Sequence, residues 1–178
     1  MADLIDLLRV QKEEWIKKGL VSKVKNMLPI TENEIPFKIP VTWSWVRIGD
    51  IFYHNTGKAL NSSNTEGSIY EYITTSNLYW DRFELNELKT MPFTESEIEK
   101  CTVKKGDLLV CEGRDIGRAA IWDYDEEIKI QNHIHRLRPY VEICVRFYYY
   151  VFLYYKIQAQ KVKLMQEGKK KRKKLCLK

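Results

Sequence analysis

Apolar residues recur along this chain with two different periods, and the switch between them predicts where helix gives way to strand. Over residues 3–26, Leu4, Ile5, Leu8, Trp15, Ile16 and Leu20 return at three- and four-residue steps with Lys and Glu between them. That spacing predicts a helix with a single apolar face, packed on another element or on a partner. Gly19 weakens its last turns. Pro29, Pro36 and Pro40 then mark residues 27–42 as a linker. Each proline lacks a backbone donor and pushes the residue before it toward extended geometry. From Trp43 to Ile48 the side chains alternate, with Trp43, Trp45 and Arg47 on one side, which predicts a short strand ending at Gly49-Asp50.

Asn55 to Gly67 is rich in Asn, Ser, Thr and Gly and predicts a long, functional or mobile loop. Tyr70 to Thr74 has β-type composition, Thr75-Ser76-Asn77 is a polar break, and Tyr79 to Phe83 sets aromatics on alternate sides of a turn. Thr94-Glu95-Ser96-Glu97 matches a capping box opening a short helix. Short apolar runs at 107–111, 118–122 and 128–138 predict strands, the last with a break near Asn132 and an end at Pro139. From Val141 to Gln166 apolar residues fall at 143, 147, 151, 154 and 157, a helical period closed by Gly168. Five tyrosines between 148 and 155 are too many for one helix face, so part of that ring meets solvent or a partner. The pattern predicts a mixed α/β chain of the α+β kind. Residues 27–140 form a β-rich domain between a helix at 1–26 and a long helix at 141–168, with a basic tail at 169–178.

Composition adds limits. A chain of 178 residues with 44% apolar content buries a core without disulfide or metal support. The net charge of +6 invites a nucleic-acid partner, yet residues 169–178 hold seven of the basic side chains and no acid, so residues 1–168 carry a net −1. Bulk charge therefore does not argue for DNA binding, and a phosphate-binding face has to be local. The tail reads as a solvated, disordered run. Cys101, Cys111, Cys144 and Cys176 lack C-x-x-C spacing, which argues against a zinc cluster. Cys111 and Cys144, inside apolar runs, read as small core residues. The first residues lack the apolar stretch of a signal peptide, and Phe147 to Tyr155 is too short to span a bilayer. A cytoplasmic chain with reduced thiols and no membrane partner is expected.

Candidate chemistry gathers in a few places. Gly113 and Gly117 punctuate a loop that presents Arg114 and Arg118. Arginine's planar fork suits guanine O6/N7 or a phosphate; the bland alternative for each is a surface salt bridge with Glu112, Asp115 or Asp123. His133 and His135 share one strand face, with Arg136 and Arg138 on the other. Polar groups on both faces suggest a site or a sheet edge. The histidines suit hydrogen bonds within the fold or to a base edge, and no third metal ligand is evident beside them. Asn77, Tyr79, Trp80 and Arg82 combine an amide able to read adenine, aromatic area and a cation, although aromatics capping a core is an equal reading. Asp107 reads as a turn residue accepting backbone N–H bonds. No catalytic residue, metal site or cofactor is predicted.

Lys104 to Ile121 (Lys-Lys-Gly-Asp-Leu-Leu-Val-Cys-Glu-Gly-Arg-Asp-Ile-Gly-Arg-Ala-Ala-Ile), Asn132-His133-Ile134-His135-Arg136-Leu137-Arg138-Pro139, Ile35 to Ile51 with its Trp-Ser-Trp and Gly-Asp-Ile phrases, and Tyr72 to Leu78 together resemble the target-recognition domain of a type I restriction–modification specificity subunit. The resemblance covers roughly 27–160. It implies a non-catalytic reader of double-stranded DNA that directs partner methyltransferase and restriction subunits. On that reading, the candidate DNA contacts, chosen for their side-chain chemistry, are Asn77, Tyr79, Arg82, Arg114, Arg118, His133 and His135. The resemblance also likens 3–26 to the end of one conserved helical region and 141–166 to the start of the next. One recognition domain is present where the family has two, so a half subunit pairing with a second copy through its helices is a further expectation. Two other readings stay open: a non-catalytic protein-interaction module using the two helices, and a metal-dependent nucleic-acid enzyme using His133, His135 and an acid.

Overall fold

A computed structural model describes residues 3–22, 29–61, 65–113 and 115–175, with side chains to residue 161. In chain order the elements are α1 (Leu4–Lys17), a 3-10 turn (Glu32–Glu34), α2 (Ile48–Ile51), β1 (Phe52–Thr56), β2 (Ser68–Ile73), β3 (Leu78–Tyr79), β4 (Arg82–Phe83) and β5 (Lys89–Phe93). They continue as α3 (Glu95–Cys101), β6 (Thr102–Val103), β7 (Leu108–Cys111), β8 (Ala119–Ile121), β9 (Ile128–Ile130), β10 (Ile134–Pro139) and α4 (Val145–Leu175). The mixed α+β class is as the sequence predicts. Among the described residues, no helix is long and apolar enough to cross a membrane.

The chain forms two compact units: residues 1–54 with 137–143, and residues 55–136 with 144–178. Strands β1 and β10 run through both. In the first unit, α1 stops at Lys17 rather than near 26, with Gly19 in the left-handed region at φ +71°; residues 23–28 lie outside the described residues. Trp15 lies edge-on to Tyr53 and Tyr140, with centroids 6.1 and 5.3 Å away, and Lys12 bonds Asp50 at 2.7 Å and the Gly49 carbonyl at 2.8 Å. Burial pushes the Tyr140 phenol up to about 12. The strand predicted at Trp43–Ile48 does not form: residues 43–47 have no regular structure, and Ile48 opens the single helical turn of α2. Alternation sets which side a residue faces, but a strand also needs a neighbour to complete its ladder.

The second unit carries the core. Two four-stranded sheets, β1-β10-β7-β8 and β5-β2-β9-β6, enclose it, and a two-stranded hairpin, β3-β4, packs beside them. Ile73, Phe93, Val103, Leu109, Trp122, Ile130 and Ile134 are almost fully buried there. The predicted run 128–138 breaks at 131–133, and its two halves join different sheets. β9 lies parallel to β2, Ile73 opposite Ile130, while β10 sits inside the other sheet. Arg136 is therefore 1% exposed, and the polar faces of this strand do not mark a sheet edge. Cys101 and Cys111 are core residues; Cys144 is exposed, because it precedes the first turn of α4. Asp107 accepts the Lys104 N–H at 2.8 Å, as a turn residue does. α4 passes Gly168 without stopping and reaches Leu175, so the expected tail begins as helix. A glycine inside a helix costs only about 1 kcal/mol relative to alanine.

Candidate nucleic-acid interface

Three segments of the second unit build one surface: the turn at 74–77, the β3-β4 hairpin, and the loop at 112–118. Asn77 closes the first. Its Oδ1 accepts from the Thr74 N–H and the Thr74 hydroxyl, both at 2.8 Å, and its Nδ2 donates to the Glu84 carbonyl at 2.9 Å and the Glu87 carbonyl at 3.4 Å. The side chain is buried, with every amide group occupied. In this structure the Asn77 amide, expected to face a base, is bonded within the fold and ties the turn to the segment after the hairpin.

The hairpin alternates as a strand pair must. Leu78 points into the core and Tyr79 outward. Between the strands lie Trp80 and Asp81, and Asp81 takes φ +58°, a conformation that short polar side chains tolerate. The Asp81 N–H donates to the Ala119 carbonyl at 3.1 Å, which docks the hairpin on β8.

Two guanidiniums then meet the Tyr79 ring from separate parts of the chain. Arg82 lies 4.7 Å from the ring centroid and Arg118 5.3 Å, both within cation–π range. Arg82 also pairs with Glu84, and both side chains are largely exposed. Arg118 donates to the Thr75 carbonyl rather than to a carboxylate. Its Nε–H, shielded from solvent, meets no acceptor among the described residues. Gly117, at φ +84°, turns the loop so that its N–H reaches the Cys111 carbonyl at 3.0 Å and Arg118 faces Tyr79. Gly113 packs over the Thr75 side chain, closing the loop on the turn.

At the start of the same loop, His135 Nε2 lies 3.3 Å from Glu112 Oε2, and the Glu112 N–H donates to the His133 carbonyl at 3.0 Å. His135 is half-buried on β10; His133 is exposed in the preceding turn, so the two imidazoles do not share a strand face. Among the described residues no group of three His, Cys, Asp or Glu converges as a metal site. Arg114 lies outside the described residues. The structure therefore brings Tyr79, Arg82 and Arg118 together, sets His133 and His135 beside the same loop, and takes Asn77 inside.

Helix α4 supplies residues that sequence reasoning missed. Arg146 pairs with Asp81, Tyr149 stacks edge-on to Trp80 at 6.1 Å, and Lys156 pairs with Asp115 and donates to the Ile116 carbonyl at 3.1 Å. The bond to Asp81 raises the Arg146 pKa further, and burial raises that of Tyr149. Positions 146, 149 and 156 share one helix face, a spacing visible in the sequence had polar residues been included in the helical period.

Residues 40–177 match the family model described as the type I restriction modification DNA specificity domain. The chain belongs to that family. It is 26% identical over 113 residues, 61% of its length, to the EcoEI specificity subunit of Escherichia coli, and 33% identical over 61 residues, 34% of its length, to the EcoAI specificity subunit of the same organism. The matches span 19% and 10% of those two subunits. The fold resembles that of the HsdS subunit from Thermoanaerobacter tengcongensis, with a TM-score of 0.53, 16% identity, and coverage of 86% of this chain and 37% of the other. A chain from a structure concerned with complex assembly and conformational transition of the type I R-M system gives the same TM-score and identity, covering 90% and 40%. This specificity domain thus spans well under half the length of each of these relatives.

Proposed function

We propose that this chain reads the sequence of double-stranded DNA for a type I restriction–modification system and leaves bond-making to partner methyltransferase and restriction subunits. The observation that carries the reading is Tyr79 flanked by Arg82 and Arg118, in a chain whose residues 40–177 match a DNA specificity family. Guanidiniums held against a ring keep their planar forks oriented, Arg82 exposed and Arg118 half-buried, and an oriented fork suits bidentate contact with guanine or phosphate. Exposed pairs such as Arg82–Glu84 contribute only about 0–1 kcal/mol, so a phosphate or base can displace Glu84 at little cost. The proposed DNA-contacting residues are Tyr79, Arg82, Arg118, His133, His135 and Arg114, with Asn77 positioning the hairpin.

Selection from a randomised duplex library, with the chain bound to its methyltransferase, tests the reading. Wild type is expected to enrich one half-site, and Arg82→Ala with Arg118→Ala to lose that enrichment. Each good bidentate base contact discriminates by about 1–3 kcal/mol, so the double variant should relax at least one base position by about fivefold or more. No enrichment by wild type would count against the reading.

The domain assignment follows the same reading. The region 1–26 corresponds to the end of one conserved helical segment, 27–140 to the recognition domain, and the region from 141, whose helix begins at Val145 rather than at 141, to the start of the next segment. Function in the cytoplasm is consistent with a restriction–modification role. Phe147, Tyr150, Tyr154, Tyr155 and Ile157 are exposed on α4, which supports pairing with a second copy through the helices. Light scattering would then give twice the monomer mass; a monomer at high concentration would overturn the pairing alone.

A further inference from the structure

Two loops of the candidate interface are each anchored to the same helix, at points ten residues apart. Near its start, α4 holds the hairpin turn: Arg146 pairs with Asp81, and Tyr149, 5% exposed, stacks on Trp80. Three turns later it holds the 112–118 loop: Lys156 pairs with Asp115 and donates to the Ile116 carbonyl at 3.1 Å. Neither cation points to the Tyr79 ring. Each grips a residue within three positions of one that does: Asp81 directly precedes Arg82, and Asp115 and Ile116 precede Arg118 by three and two positions.

Ten residues of α-helix span about 15 Å, and a helix is stiff over that length where a loop is not. Beside the anchors, the mutual spacing of the hairpin turn and the loop is held by the Asp81 N–H to Ala119 carbonyl bond, the Arg118 to Thr75 bond, the shared Tyr79 ring and Gly113 against Thr75; the anchors add the only grip from a long helix among these. Lys156 is only 19% exposed, so its pair is better shielded from salt than an ordinary surface pair.

We infer that Arg146 and Lys156 are positioning residues: through them α4 sets the separation of the hairpin turn and the 112–118 loop, and thereby the spacing of Arg82 and Arg118 at the DNA. The inference rests on the proposed reading for its DNA consequence. It makes α4 a mechanical link, so that whatever engages its exposed tyrosine face acts on the reading loops as well.

The test uses the full chain with its methyltransferase and two measurements. The first is amide hydrogen exchange without DNA. Arg146→Met with Lys156→Met is expected to speed exchange at 80–82 and 115–118 while the β7 and β9 amides stay unchanged; unchanged loops overturn the inference whatever happens with DNA. The second is discrimination, as the ratio of affinities for the selected and a scrambled duplex. The double variant is expected to lose about tenfold, on the order of one partly shielded and one exposed ion pair, at unchanged melting temperature, and Arg146→Lys with Lys156→Arg to restore most of it. Faster loop exchange with full discrimination would overturn the positioning role and leave the DNA reading intact. Absent discrimination in wild type would overturn that reading and this inference together.

Discussion

At the residue scale, Lys58 is a buried, ion-paired cation outside the interface. Its side chain is 6% exposed, and a buried ammonium must be compensated on every side. The Nζ bonds Glu97 Oε2 at 2.6 Å and the Pro92 carbonyl at 2.8 Å, and lies 5.5 Å from the Phe93 ring centroid. Glu97 serves twice, since it also accepts the Thr94 N–H at 3.0 Å as the third residue of the helix, completing the capping box. Lys58 first and the Thr94 backbone second hold the Glu97 carboxyl below the usual carboxylate range. The folded carboxyl then titrates at lower pH than the unfolded one. Its contribution is fully present above the ordinary value near 4.5 and is lost as pH falls through the lowered one. Replacing Glu97 with Gln should cost about 1–3 kcal/mol at neutral pH and flatten the acid limb of a urea-midpoint profile. Lys58→Met should cost less, because Glu97, 30% exposed, can rehydrate while a stranded Lys58 cannot. Equal losses, or an unaltered acid limb, would show that the pair is not what protects the fold there. None of this was legible in the sequence, where Lys58 sits in a polar loop and its partners lie 34 and 39 residues away.

At the scale of elements, the junction after β1 depends on a missing side chain. The Gly57 N–H reaches the Ile134 carbonyl at 3.4 Å, the Lys58 N–H reaches the Ile130 carbonyl at 3.0 Å, and the Asn132 N–H returns to the Lys58 carbonyl at 2.9 Å. A Cβ at Gly57 would stand 2.0 Å from the Ile130 carbonyl oxygen, a backbone atom that cannot rotate away. Gly57→Ala should therefore cost more than about 3 kcal/mol, by forcing β9 and β10 away from this junction. Gly117→Ala, at φ +84° but with open space around it, should cost only about 1–2 kcal/mol of backbone strain. Thermal melts that rank the two the other way would refute the crowding argument. Elements whose signals are local were readable from the chain. The capping box at Thr94–Glu97 opens α3, the short apolar runs become β7 and β8, and the helical period becomes α4. Elements defined by distant partners were not. β5 contains Pro92 and survives as an edge strand, paired only with β2. The division of 128–138 between two sheets depends on a parallel neighbour 57 residues earlier. The interface shows the same split: Tyr79, Arg82 and Arg118 were visible as suitable residue types. Their meeting around one ring, and the inward turn of Asn77, depend on tertiary packing that no local pattern records.

For the whole molecule, charge separates attraction from reading. Residues 169–178 hold seven cations, and the remaining 168 residues carry a net −1. The cations gathered at the candidate interface are few and partly committed: Arg82 to Glu84, Arg118 to Thr75, Arg146 to Asp81, Lys156 to Asp115. Such a body gains little from long-range attraction to a duplex, and its discrimination has to come from geometry at the groove. The C-terminal run is suited to the complementary task, because neutralisation of phosphates by a cationic segment is indifferent to base identity and strongly salt-dependent. Removing residues 169–178 should therefore lower affinity for every duplex at low salt and reduce the slope of log K against log salt by about 0.9 for each phosphate no longer neutralised. The ratio between selected and scrambled duplex should stay as it was. Arg82→Ala with Arg118→Ala should do the reverse for the most part, collapsing the ratio while changing the slope by no more than the equivalent of about two phosphates. Fluorescence anisotropy across a salt series measures both quantities on the same samples. If the truncated chain lost its preference along with its affinity, the cationic run would belong to the reading surface, and the assignment of recognition to the hairpin and the 112–118 loop would have to be withdrawn.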